Sequence, residues 1–148
     1  MQTITEKILN DTMLYGNIPV FTYHIAYPSF STTCVLSAAQ TANIYYMQLA
    51  ENTEQYCRTV LYPQAVESAR YITSNHPPFN RYTLDMNYQI TYNSGCITSL
   101  YMDTYTYMGG AHQELERISD TWDFSTGKQL HLDDISALTP AALNGLQT

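Results

Sequence analysis

The strongest constraint on the fold is a stretch in which large apolar or aromatic residues alternate strictly with polar ones. The first series is Tyr82, Leu84, Met86, Tyr88, Ile90 and Tyr92, and the second is Thr83, Asp85, Asn87, Gln89 and Thr91. Side chains of a β-strand point alternately to the two faces of its sheet. The pattern therefore predicts an antiparallel strand with one buried and one hydrated face.

Turn signals on both sides of this strand predict neighbours for it. Residues 16–17 and 93–95 are Gly-containing hairpin turns, and Gly109-Gly110 allows backbone angles that are closed to residues with a side chain. Proline lacks the N–H that a strand interior needs, so we expect Pro28 to end a strand. The predicted strands are residues 3–14, 20–27, 82–92, 96–108, 114–124 and 129–132.

The segment between the second and third strands has helical spacing. Its apolar or small residues are Val35, Ala38, Ala42, Tyr45, Leu49, Tyr56 and Val60. We predict a helix over 35–60, a break or kink at Tyr62-Pro63, and a second helix over 63–73. The fold class is then α+β, in which an antiparallel sheet, made of an N-terminal hairpin and a C-terminal meander, packs against one long or kinked helical region.

A chain of 148 residues is long enough for one domain. We expect a single domain over 1–148, with a hairpin and helical part at 1–78 and a β-meander part at 79–148. Thr139-Pro140 is a helix start signal close to the end of the chain. We therefore expect the domain to be incomplete at its C-terminus. A missing strand would leave an open sheet edge, which favours pairing with a second copy.

Composition and net charge limit the classes of partner that the protein is expected to bind. The net charge is −7, and the six Lys and Arg residues are scattered. This excludes a phosphate-binding surface for nucleic acid and favours a cationic partner. Charged residues make up only 13% of the chain, and polar uncharged residues replace them, as is typical of proteins outside the cytoplasm. No apolar run is long enough to span a membrane, and residues 1–6 lack the features of a signal peptide.

Cysteine, histidine and carboxylate residues do not form a recognisable reactive group. His112, Glu114 and Glu116 share one strand face, but such neighbours stand about 7 Å apart and do not converge on one metal ion. Cys34, Cys57 and Cys96 fit either one disulfide and a free thiol or three buried thiols. The four aspartates Asp120, Asp123, Asp133 and Asp134 are typical of turn or helix caps. We therefore predict no catalytic residue, no metal, no cofactor and no enzyme activity.

Three segments carry a resemblance to a known family. They are NYQITYN at 87–93, YMGGAH at 107–112 and WDFSTGKQLHLDDI at 122–135. Together they resemble the extracellular region of RsiV-type anti-sigma factors and the non-catalytic N-terminal region of PdaC-type peptidoglycan deacetylases. The resemblance implies a secreted or membrane-anchored protein of Gram-positive bacteria. In the anti-sigma members the region recognises lysozyme, and in the deacetylase members catalysis belongs to a separate domain.

We expect a non-catalytic extracytoplasmic binding or sensing domain that presents an acidic, Tyr-rich sheet to a cationic protein, lysozyme being the family precedent. The residues expected to bind the partner are Tyr101, Tyr105, Tyr107, His112, Glu114 and Glu116. Aromatic rings would supply contact area and carboxylates would steer the encounter. The alternative is an accessory module of a cell-wall enzyme, which binds glycan or spaces a catalytic domain.

Overall fold

The six strands of the sheet are neighbours in the same order as they follow in the sequence, β1-β2-β3-β4-β5-β6. The computed structural model describes residues 1–74 and 78–130. Its strands are β1 (Thr3–Tyr15), β2 (Ile18–Ser31), β3 (Tyr82–Ser94), β4 (Ile97–Tyr107), β5 (Glu114–Asp123) and β6 (Lys128–Leu130). All neighbours are antiparallel except β2 and β3, which are parallel because the helical region connects them. The predicted hairpin, meander and α+β class are confirmed.

The helical region is continuous, whereas the sequence predicted a break or kink at Tyr62-Pro63. Helix α1 (Leu36–Tyr56) runs into a π-helical turn (Cys57–Leu61), which runs into helix α2 (Tyr62–Ser74). In the π turn the Tyr62 N–H donates to the carbonyl of Cys57, five residues earlier, whereas in an α-helix it would donate to the carbonyl of Arg58, four residues earlier. A wider turn changes the hydrogen-bond pattern where proline would otherwise remove an α-helical bond. The irregularity is therefore a π turn, and the chain does not leave the helix.

Strand β2 does not end at Pro28 as predicted, but continues to Ser31. Strand β1 pairs with it along this whole stretch, and Pro28 lies opposite Glu6. Strand β3 pairs with β2 only as far as Ile25. Beyond that point no strand pairs with this side of β2, and the Asn43 side chain of α1 bonds the Phe30 backbone instead. The missing N–H of proline therefore costs no ladder hydrogen bond.

Helix α1 packs closely on the sheet through small residues. Ala38, Ala39, Ala42 and Ala50 are buried on one side of the helix. A cluster of aromatic rings fills the space beside them, with ring centroids 4.9 to 6.0 Å apart. Its members are Phe30, Tyr45, Tyr46, Trp122 and Phe124.

A buried polar network joins α1 to β5 and β6 inside this cluster. The Tyr46 hydroxyl donates to Asp120 Oδ2 at 2.9 Å and accepts from Trp122 Nε1 at 2.8 Å. The Gln129 amide donates to the other Asp120 oxygen. Burial, with the neighbouring Asp120 charge, raises the pKa of Tyr46, so the phenol stays protonated and remains a donor. Asp120 is thus a partner of the core rather than the turn cap that the sequence predicted.

The N-terminal end of α1 is attached to the sheet by covalent and backbone links. A disulfide joins Cys34 to Cys96, and Cys57 is a free, buried thiol. Beside the disulfide, the Val35 N–H donates to the Phe124 carbonyl, and the Phe124 N–H donates to the Cys96 carbonyl. One of the two cysteine arrangements left open by the sequence, a single disulfide with a free thiol, is the one in the structure.

The turn between β5 and β6 is built by Asp123. Its carboxylate accepts from the Ser125 N–H, and the Gly127 N–H donates to its carbonyl at 2.8 Å. Gly127 has φ +79°, and a side chain there would meet Ala38 of α1 at 3.3 Å. Asp123 therefore caps a turn, as predicted, and this turn touches the helix.

Within the described residues, neither α1 nor α2 nor the turn between them is long and apolar enough to cross a bilayer. The helix predicted from Thr139 and the aspartates Asp133 and Asp134 lie outside the described residues.

Replacing both disulfide cysteines, Cys34→Ser with Cys96→Ser, should lower the free energy of unfolding by about 4 kcal/mol, because the bond closes a loop of 62 residues in the unfolded chain. Urea unfolding followed by circular dichroism measures this. Dithiothreitol should shift the midpoint of the wild-type protein and leave that of the double variant unchanged. Equal midpoints for the oxidised wild-type protein and the double variant would contradict the pairing.

Tyr46→Phe should destabilise the fold by about 1–3 kcal/mol, because it leaves Trp122 Nε1 and one Asp120 oxygen buried without their partner. Tyr45→Phe is the matched control, since it removes an adjacent hydroxyl for which no hydrogen bond is found among the described residues. Chemical denaturation of the two variants should separate them clearly. A loss in Tyr45→Phe as large as that in Tyr46→Phe would show that the network contributes nothing specific.

Candidate functional site

The residues predicted to bind a partner lie on both faces of the sheet. Glu114 and Glu116 of β5 face α1, where they line a groove together with Tyr56. Tyr105 of β4 lies on the opposite, open face, where it lines a shallow pocket with His24 and other polar residues. The six residues therefore do not form one continuous surface.

Tyr107 and His112 belong to the end of β4 and the glycine loop that follows it. The Tyr107 ring meets the Tyr82 ring edge-on, with centroids 6.1 Å apart. Gly109 has φ +94°, and a side chain there would come within 2.9 Å of the Tyr82 hydroxyl. Glycine is required at this position both for its angle and for its closeness to that ring. The loop then places exposed His112 at one end of the groove that Glu114 lines.

The groove on the helix side, here called the acidic groove, has a volume of about 380 Å³. Leu49 and Tyr56 of α1 form one wall, and Leu84 and Met86 of β3, which are almost completely buried, also line the groove. The opposite wall is β5, with Glu114, Glu116 and Ile118. A second pocket of about 370 Å³ adjoins it, shares Tyr56, Thr106 and Glu114 with it, and includes His112.

The chemistry of the acidic groove suits a long cationic side chain. Lysine and arginine have an apolar stem and a charged end, and they bury the stem while the charge stays at a polar rim. Leu49, Tyr56 and Ile118 offer the apolar surface, and the exposed carboxylates of Glu114 and Glu116 offer the rim. No Lys or Arg is among the described residues that line the groove.

The open face carries an ion pair that the sequence analysis missed. Arg117 of β5 donates two hydrogen bonds to Asp103 of β4, at 2.7 and 2.9 Å, and its guanidinium lies 3.9 Å from the centre of the Tyr101 ring. Asp103 is almost completely buried beneath it. These bonds lower the pKa of Asp103 and raise that of Arg117. Tyr101 is therefore covered by Arg117 rather than free to meet a partner with its whole ring.

The pairing of the strands explains why this ion pair was missed. Asp103 shares a strand face with Tyr101 and Tyr105, which the alternation in β4 indicates. Arg117 stands directly opposite Asp103 in the antiparallel ladder. Only the register of β4 against β5 brings the two together, and a local sequence pattern does not fix that register.

Other groups with shifted pKa values are held in contacts between elements. Burial, together with the Glu54 carboxylate, raises the pKa of Tyr23 to about 12, and the Tyr23 hydroxyl also accepts from Arg58. Burial raises the pKa of the Cys57 thiol to about 12, which keeps it protonated and unreactive. Within residues 1–74 and 78–130, no group of three or more His, Cys, Asp or Glu side chains could hold a metal ion.

Comparison with known proteins gives a family match and two similar structures. The family described as deacetylase PdaC matches residues 16–113. A DUF3298 family protein of Bacteroides fragilis is similar in fold, with a TM-score of 0.64 at 15% identity, over 90% of this chain and 60% of that one. A DUF3298 family protein of Pseudomonas aeruginosa has a TM-score of 0.53 at 17% identity, over 98% and 62% of the two chains.

Coverage and sequence identity limit what the two similar structures show about this chain. The chain spans about 60% of the length of the two solved proteins, and the low identities make the likeness one of fold alone. No match was found among curated proteins.

The Asp103–Arg117 pair should make stability depend on acidity. The pKa of Asp103 is lowered in the folded state, so its contribution is fully present above the unfolded value of about 3.9 and is lost as the pH falls below it. Asp103→Asn should flatten the fall of the unfolding free energy between about pH 4 and pH 2. Urea unfolding at a series of pH values measures this slope.

Arg117→Gln should flatten the same slope, because Asp103 then loses the donor that lowers its pKa. The double variant should behave like either single variant. Slopes that change additively in the double variant would show that the two residues act independently.

Proposed function

Because this chain belongs to the family of deacetylase PdaC, we propose that it is a non-catalytic extracytoplasmic domain that recognises a cationic protein. The single observation that carries the proposal is the acidic groove, in which an apolar wall faces two exposed carboxylates. A lysine or arginine that projects from a partner fits this combination. The net charge of −7 adds long-range attraction for such a partner.

The distribution of titratable groups supports a binding role rather than catalysis. Catalytic groups usually have shifted pKa values and are exposed in a cleft. Here the shifted groups Tyr23, Tyr46 and Cys57 lie in the core. The shifted groups Asp103 and Arg117 on the open face are hydrogen-bonded to each other. In the acidic groove, Glu114 and Glu116 stand on an exposed strand surface, where they can attract a cation.

The disulfide supports the extracytoplasmic location. Disulfides persist mainly in oxidising compartments and are rare in the cytoplasm. Cys34 and Cys96 join the start of α1 to the β3–β4 turn, so the bond is part of the framework and not a surface thiol pair. A domain that depends on this bond works best outside the cytoplasm.

Lysozyme is the first partner to test. RsiV-type anti-sigma factors, which the sequence resembles, recognise lysozyme. In a sensing role this chain would likewise detect lysozyme by binding it. The domain would bind the cationic protein through the acidic groove, while the open face stays free for other contacts.

The test is calorimetric titration of the protein with lysozyme at low and at high salt. We expect binding at low salt that weakens as salt screens the carboxylates. The double variant Glu114→Gln with Glu116→Gln should weaken the affinity by about tenfold or more, since it removes the charged rim. Absence of heat at low salt would exclude lysozyme as the partner.

A matched control separates the groove from net charge. Glu51→Gln with Glu67→Gln removes the same formal charge from exposed helical positions that do not line the groove. The affinity of this variant should change by less than about threefold, as expected for charges that contribute only to long-range steering. Equal losses in the two double variants would mean that binding depends on net charge and that the acidic groove is not the site.

A further inference from the structure

The open face of the sheet contains a pocket of about 430 Å³ whose chemistry differs from that of the acidic groove. Its polar lining comes from β2, β3, β4 and the loop before β5. The residues that the argument uses are Thr22, His24, Asp85, Asn87, Tyr105 and Gln113. We call it the open-face pocket.

The register of the strands aligns three of these residues. His24 stands opposite Asp85, and Asp85 stands opposite Tyr105, so the three form one row across β2, β3 and β4. Neighbouring strands lie about 4.8 Å apart, and the row is therefore about 10 Å long. Asn87 lies on the same face two residues along β3, which gives the pocket a second polar row.

The exposure of these side chains leaves their polar atoms accessible. The His24 and Asp85 side chains are 47% and 57% exposed, and His24 Nδ1 lies 3.9 Å from Asp85 Oδ1, beyond normal hydrogen-bond distance. Asn87 and Gln113 are also exposed. Tyr105 is half-buried, so part of its side chain stays accessible. The lining of the pocket thus combines several hydrogen-bond donors and acceptors with one aromatic side chain.

We propose that the open-face pocket binds a neutral saccharide. A sugar hydroxyl both donates and accepts, and so do the side-chain amides of Asn87 and Gln113. The Asp85 carboxylate accepts from two neighbouring hydroxyls at once. The C–H groups on one face of a sugar ring carry slight positive charge, and they pack against the negative face of the Tyr105 ring.

Other ligand classes fit the pocket less well. Anions need clustered cations, and no Lys or Arg lines the pocket among the described residues. Arg81 stands at its margin, where its guanidinium donates to the Thr22 hydroxyl at 3.2 Å. A protein partner needs a buried anchor, whereas this pocket is shallow and carries a single aromatic ring. The saccharide site lies on the face opposite the acidic groove and does not depend on the proposed function.

The experiment is an NMR titration of the full chain with two neutral oligosaccharides, cellotetraose and chitotetraose, up to about 10 mM. Amide shifts in β2, β3 and β4 should move at the open-face pocket. Asp85→Ala and Tyr105→Leu should each weaken the affinity by about tenfold or more, because each removes a central contact. Tyr105→Phe keeps the ring and should retain most of the affinity.

Gln89→Ala is the matched control, because Gln89 lies on the same open face opposite Tyr101 but outside the pocket. It should change the affinity by less than about threefold. Asp85→Ala alters an exposed position, so it keeps the test valid if Tyr105→Leu disturbs the fold. Absence of binding to both oligosaccharides, an equal loss in Gln89→Ala, or shifts confined to the acidic groove would each overturn the proposal.

Discussion

The hydroxyl of Tyr46 is the contact on which the arrangement of helix and sheet depends. It donates to Asp120 and accepts from Trp122, and so it ties the middle of α1 to β5 inside the aromatic cluster. A buried polar group that lost these partners would cost more than the bonds themselves contribute, so the helix has one favourable position over the sheet. The walls of the acidic groove, one from α1 and one from β5, keep their separation for this reason.

A second attachment holds the N-terminal end of the same helix. The disulfide from Cys34 to Cys96, the backbone bonds of Phe124, and the contact of Gly127 with Ala38 all lie at this end. The WDFSTGK segment, one of the segments that carry the family resemblance, thus serves the helix–sheet junction rather than an exposed surface. Its aspartate builds the turn, its phenylalanine fills the core, and its glycine lets the helix approach.

The sequence predicted the strands well because alternation is a local signal. The error at the end of β2 involves proline, because Pro28 lies where no strand pairs with that side of β2. The second helix starts within one residue of its predicted position, and the irregularity expected at Tyr62-Pro63 is a π turn just before Pro63. The binding surface was predicted less well, because a surface depends on register. Glu114 and Tyr105 are close in sequence and were grouped together, yet the strand pairing places them on opposite faces. The sequence pattern also did not predict that Arg117 pairs with Asp103, because this depends on the register of β5 against β4.

Because the helical region covers only one side of the sheet, the two faces have different chemistry. On the covered side, apolar residues of α1 and exposed carboxylates of β5 line one groove, which suits a cationic side chain. On the open side, amides, hydroxyls and the half-buried Tyr105 suit an uncharged polar ligand. Among the described residues, Leu84 alone lines both pockets. Strand β4 also connects the two pockets, because Thr104 and Thr106 line the acidic groove while Tyr105 between them lines the open-face pocket.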